Sequence, residues 1–133
     1  MASGTEFRFE SVLLVDDNEI DNFINEKVMS STGFAKEVVV KLSADDAMDF
    51  LKEVQDDDSR IPDLIFLDLN MPGKDGFDFL KEYEAIGDKV KSKTRIIVLS
   101  SSISPEDINK ASTNPHVQKY INKPLSEKYL EAI

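Results

Sequence analysis

The sequence predicts an α/β domain built on a doubly wound, five-stranded parallel sheet with helices on both faces. Three observations carry that expectation: five short apolar runs, amphipathic segments of helical period between them, and capping residues where the two meet. Strict alternation of strand and helix requires parallel strands joined by right-handed crossovers. At 133 residues the chain has room for one such domain.

Val12 to Val15 is the first run, followed by a helical stripe of Ile20, Phe23, Ile24 and Val28. Asp16 or Asp17 is expected to cap this helix, and Gly33 to stop it in the left-handed conformation. Val38 to Val40 forms the second strand. Ser43 then opens a helix with Asp46 three residues on, carrying Ala47, Phe50, Leu51 and Val54 on one face. Leu64 to Leu67 is uncharged throughout, as suits a strand buried on both faces. Phe77, Leu80 and Tyr83 mark the third helix, with Gly87 expected at its end. Ile96 to Leu99 is the fourth strand. Ser104, with Pro105 at the first helical position and Asp107 beyond, begins a helix to Ser112. Val117 to Ile121 and a last helix from Leu125 to Ile133 complete the pattern. Residues 1–9 begin MASGTEF, small and polar without periodicity, and are read as an N-terminal extension with the look of an appended cloning sequence. The domain is then residues 10–133.

Composition excludes several classes of function. Asp and Glu number 26 against 16 Lys and Arg, a net charge of -10 that repels phosphate backbones and anionic lipid, so direct nucleic-acid and membrane binding are not expected. Without cysteine there are no disulfides, thiolate metal sites or Cys nucleophile. No apolar run exceeds four residues, whereas a membrane-spanning helix needs about 20. A cytoplasmic location is the expectation.

In a doubly wound sheet, ligands bind beyond the carboxyl ends of the strands. The first strand ends in Asp16 and Asp17, the third in Asp68, the fourth in Ser100, and the fifth runs into Lys123 and Pro124. Any one of these Asp residues is readily a loop or capping residue. Three carboxylates at one sheet edge repel unless a cation lies among them, and Mg²⁺ suits a small carboxylate set completed by water and phosphoryl oxygens. A hydroxyl and an ammonium beside them supply the donors an oxyanion requires.

The ordered segments VLLVDDN, LIFLDLNMPGKDG, IIVLSSS and YINKPL resemble the receiver domains of response regulators, including chemotaxis-type single-domain receivers, over roughly Glu10 to Ile133. The resemblance implies a flavodoxin-like strand order 2-1-3-4-5. It implies that Asp68 is the phosphoacceptor, that Asp16 and Asp17 organise Mg²⁺ together with Asp68, and that Asn70 lends its backbone carbonyl to the metal. Lys123 neutralises the phosphoryl charge, Ser100 bonds a phosphoryl oxygen, and Tyr120 holds the aromatic switch position, turning in from solvent on phosphorylation. Asn70 and Ser102 flank the path of hydrolytic water, Pro72 and Gly76 shape the loop after Asp68, and the Lys123–Pro124 bond is cis. The implied function is a signalling switch rather than an enzyme, capable only of self-phosphorylation from small donors and self-dephosphorylation. The implied partners are a histidine kinase or histidine phosphotransfer protein, a downstream target, and a second receiver in a phosphorylation-dependent dimer. These last two would dock on the face formed by the helix from Ser104, the fifth strand and the helix from Leu125.

Two rival readings differ in class. A Mg²⁺-dependent phosphatase with an aspartyl nucleophile usually has a second Asp two residues later, where this chain has Asn70. A receiver that has lost phosphate acceptance would lack one of the five central residues, all of which are here. The ending at Ile133 leaves two alternatives, a lone receiver or one separated from an output domain. Asp56 to Asp58 read as a solvated acidic loop, His116 as a surface residue without a role, and Phe77, Phe79, Leu80 and Tyr83 as helix packing.

Overall fold

The computed structural model describes residues 7–133. The element order is β1 (Phe9–Val15), α1 (Glu19–Ser31), β2 (Ala35–Lys41), α2 (Ala44–Val54), β3 (Leu64–Leu67), α3 (Gly76–Tyr83), α4 (Asp88–Lys93), β4 (Arg95–Ser100), α5 (Pro105–Ser112), β5 (Val117–Asn122) and α6 (Glu127–Glu131). The five strands pair in parallel in the order β2-β1-β3-β4-β5, as expected. Most of the expected extension lies outside the described residues. Of the rest, Phe9 opens β1, and the Arg8 guanidinium donates to the Leu130 carbonyl at 2.6 Å.

Side-chain alternation divides the core between the two faces of the sheet. Leu13, Val15, Ile65, Leu67 and Ile96 pack under α2 and α3, where Leu51, Phe79 and Tyr83 are buried. Val12, Leu14, Leu64, Phe66, Ile97, Leu99 and Ile121 face the other side, against Met29 of α1 and Leu130 of α6. Ser43 and Ser104 cap α2 and α5 through Asp46 and Asp107, and Gly33 takes the left-handed conformation (φ 71) after α1, all as expected.

The structure corrects three expectations. The cap of α1 is Asn18, whose side chain accepts from Asp21, while Asp16 instead accepts from the Asn18 N–H at 2.9 Å. Gly87 (φ -58) does not end α3; it opens α4, a sixth helix with no apolar period because only Val90 is buried. Three of the four residues of the α1 stripe point outward: Ile20, Phe23 and Ile24 are 73%, 62% and 46% exposed, while Val28 packs against the core and the helix buries Asn22, Asn25 and Met29. The cause is local, since the Asn22 amide donates to the Asp16 carbonyl at 2.8 Å and turns that polar face toward the end of β1.

Candidate functional site

The register of β1 and β3 aligns Val15 with Leu67, so Asp16 and Asp68 leave the sheet side by side. Both backbones are fixed: the Asp68 N–H donates to Val15 (3.0 Å) and the Asp16 N–H to Lys41 (3.1 Å). Asp17 follows on the exposed side. One carboxylate oxygen from each of Asp16, Asp17 and Asp68 lies within 4.8 Å of the others, and among the described residues no other acidic group converges this way. The Asp56 to Asp58 run does not: Asp57 accepts twice from Ser59, and the Asp58 carbonyl receives Lys93.

Lys123 arrives from β5, after a chain separation of 107 residues, with its Nζ 2.6 Å from Asp16 Oδ2, 2.9 Å from Asp21 Oδ2 and 3.6 Å from Asp68 Oδ2. The bond to Pro124 is cis, as the resemblance implied. Burial, and then the Asp16 charge, push Asp68 up to about 6, with Lys123 and the Asn70 N–H opposing. Burial works to lower Lys123, but hydrogen bonds to Asp16 and Asp21 and the charge of Asp68 outweigh it and hold the ammonium above its usual range. This edge is therefore short of positive charge. Three converging hard oxygen donors, one of them driven toward its protonated form, fit a divalent cation. Asp17 and Asp68 open onto a cleft also lined by Asn18, Ile20, Asp21, Asn70, Ser101 and Lys123.

The loop after Asp68 depends on Gly76. A Cβ there would lie 2.7 Å from the Asp68 carbonyl oxygen and 2.8 Å from the Leu69 Cα, and the Gly76 N–H donates to Leu69 at 3.0 Å. Only glycine permits this approach.

Ser100 is fully buried at the end of β4, and its carbonyl accepts from the Lys123 N–H at 2.9 Å. Val98 pairs with Tyr120 and Ser100 with Asn122, which sets these four side chains on one face. Ser102 bonds three of them, Ser100, Tyr120 and Asn122. Its carbonyl accepts from the Tyr120 hydroxyl (2.8 Å) and the Asn122 amide (3.0 Å). Its N–H donates to Ser100 Oγ (3.2 Å), and its own hydroxyl donates to Asp107 of α5 (2.8 Å). The Tyr120 side chain is half-buried, its hydroxyl held by the Ser102 carbonyl.

His116 was expected at the surface without a role, and it lies away from this edge. Its ring packs edge-on against Tyr83 (5.2 Å), with Nε2 3.3 Å from Glu84, so it belongs to the packing of α3. Sequence reading missed Asp21, Asn22 and Asn122. The available signal was their spacing: Asp21 and Asn22 lie within the first turns after the strand-end acids, and Asn122 directly precedes Lys123.

A family model for the response regulator receiver domain matches residues 12–133. Response regulator Rcp1 of Synechocystis sp. is 32% identical over 113 residues, spanning 84% of this chain and 75% of Rcp1. A two component response regulator from Cytophaga hutchinsonii superposes with a TM-score of 0.87 at 33% identity, over 94% of this chain and 93% of that one. The Mn(2+)-bound form of Rcp1 gives 0.72 at 30% identity over 91% and 86%. The phosphorylated cyanobacterial phytochrome response regulator RcpA gives 0.69 at 35% identity over 91% and 85%. Strand order, the acids at the carboxyl edge and these matches agree, and the chain belongs to the response regulator receiver domain family.

Proposed function

We propose that this chain is a phosphorylation switch whose acceptor is Asp68. The observation that carries the reading is the convergence of Asp16, Asp17 and Asp68 with Lys123 at one sheet edge. A carboxylate oxygen of Asp68 attacks the phosphorus of a phosphohistidine on a kinase or phosphotransfer protein; the P–N bond breaks and the imidazole nitrogen keeps the electron pair. Lys123 holds positive charge beside the acceptor. Mg²⁺, bound by Asp16, Asp17, Asp68 and the Asn70 carbonyl, would supply further positive charge against the phosphoryl oxygens. The metal in the Rcp1 structure and the phosphorylated state of RcpA support this reading by similarity.

Ile20, Phe23 and Ile24 form an exposed apolar face whose first member lines the cleft beside Asp68, a placement suited to a docking phosphodonor protein. The output side is the face of α5, β5 and α6, tied to the acceptor by Ser100 and Ser102. When Ser100 turns to a phosphoryl oxygen, the Ser102 N–H loses its acceptor, and the loop that positions Tyr120, Asn122 and Asp107 shifts. A downstream target or a second receiver then meets a changed surface. Asn70 and Ser102, both small and uncharged, leave water partial access and give intermediate self-dephosphorylation. No helix among the described residues is long and apolar enough to cross a membrane, in keeping with action in the cytoplasm.

The test is labelling with a small phosphodonor and Mg²⁺. One acid-stable, base-labile phosphoryl group is expected, lost in Asp68→Asn and on chelation; labelling that persists in Asp68→Asn refutes the assignment. In the same material, Ser100→Ala should keep the label while the amide-exchange response of α5, β5 and α6 disappears.

A further inference from the structure

Asp21 bonds Lys123, yet neither the cap of α1 nor the phosphoryl transfer described above requires its carboxylate. Its backbone N–H donates to the Asn18 side chain at 3.0 Å, which places the residue in the first turn of α1 and on the wall of the cleft that holds Asp68. An ammonium has three N–H donors. Two point at Asp16 (2.6 Å) and Asp21 (2.9 Å), while Asp68 stands at 3.6 Å. The lysine side chain is only 14% exposed and already fixed by the shorter bond to the buried Asp16, so its orientation does not depend on Asp21. What Asp21 adds is negative charge, on the same ammonium and facing the space a phosphoryl group must enter.

We propose that Asp21 is a counter-charge that offsets the Lys123 ammonium and repels an incoming phosphoryl group, restraining the loading of Asp68. The inference rests on Asp68 being the acceptor. A phosphoryl group brings about 1.5 to 2 negative charges, and it must share Lys123 with a carboxylate that repels it. Since the Asp21 side chain is 35% exposed, solvent and salt screen part of this repulsion, and the effect is graded rather than prohibitive.

Charge and not shape sets the effect, so Asp21→Asn, which keeps an oxygen acceptor, is the informative variant. Affinity for beryllium fluoride, a phosphoryl mimic, is measured at saturating Mg²⁺ in the full chain and in Asp21→Asn, Asp21→Glu and Asp68→Asn. Asp21→Asn should bind the mimic roughly three- to tenfold more tightly at low ionic strength, with the gain shrinking as salt is raised. Asp21→Glu, which keeps the charge, should stay within about twofold of the unsubstituted protein on the same electrostatic grounds. Unchanged or weaker binding in Asp21→Asn overturns the proposal, as does an equal gain in Asp21→Glu or a gain insensitive to salt. If the unsubstituted protein does not bind the mimic, or Asp68→Asn does, the acceptor reading itself fails, a result distinct from a failure at Asp21 alone.

Discussion

Asp68, held near 6 by burial and the Asp16 charge, keeps a proton in the folded, metal-free protein that the unfolded chain has already released. Between its ordinary value of 3.8 and about 6, the folded state binds more protons than the unfolded one, so this residue makes stability fall as pH rises through that window. Asp68→Asn should then be more stable than the unsubstituted protein at pH 7 in chelator, by on the order of 1–3 kcal/mol, and equal to it near pH 4. Denaturant unfolding at the two pH values checks this, and an Asn variant no more stable at pH 7 contradicts it. A divalent ion should remove the advantage by favouring the ionised carboxylate, and its affinity should fall as pH drops through 6. Asp16, Asp68 and Ser100 were legible in the sequence because each stands where an apolar run stops, and Asp17 and Lys123 because they lie one residue further on and carry charge. Asp21 and Asn122 were not, since their roles arise only from contacts across 102 and 20 residues of chain.

At the scale of the element, the β3–α3 connection shows how much of the placement of Asp68 is backbone geometry. Gly76→Ala forces a methyl group against the Asp68 carbonyl and Leu69, neither of which can yield without moving Asp68. The expected cost is about 1–3 kcal/mol, with slower phosphorylation from small donors; thermal unfolding and labelling kinetics measure both, and an undisturbed rate would show that the acceptor tolerates movement. Caps and strands were read correctly where one side chain decides the outcome, as at Ser43 and Ser104. The short helix α4 escaped notice because its sequence, DKVKSK, buries only Val90 and leaves no period to read. In α1 the period itself misled: Ile20, Phe23 and Ile24 face outward because Asn22 is claimed by the end of β1.

For the whole molecule, that outward face contributes little to folding, and on the proposed reading it is where a phosphodonor docks. Phe23→Ala should leave stability within about 0.5 kcal/mol, since the ring is 62% exposed, and should not alter labelling by small donors. Transfer from a phosphohistidine protein should slow severalfold; equal slowing with both kinds of donor would instead place the damage in the site. The alternation of elements made the parallel sheet legible, but not the order β2-β1-β3-β4-β5, because alternation alone allows several windings and only the family resemblance selected one. That order also joins Asp16 to a lysine made 107 residues later. A chain still emerging from the ribosome can form β1 and β3 and bring Asp16 against Asp68, yet it lacks the cation that holds them together until β5 has been synthesised and docked. The last strand of the sheet thereby supplies the charge that closes the acidic edge, and a copy cut short before it would leave Asp16 and Asp68 facing each other without that ammonium.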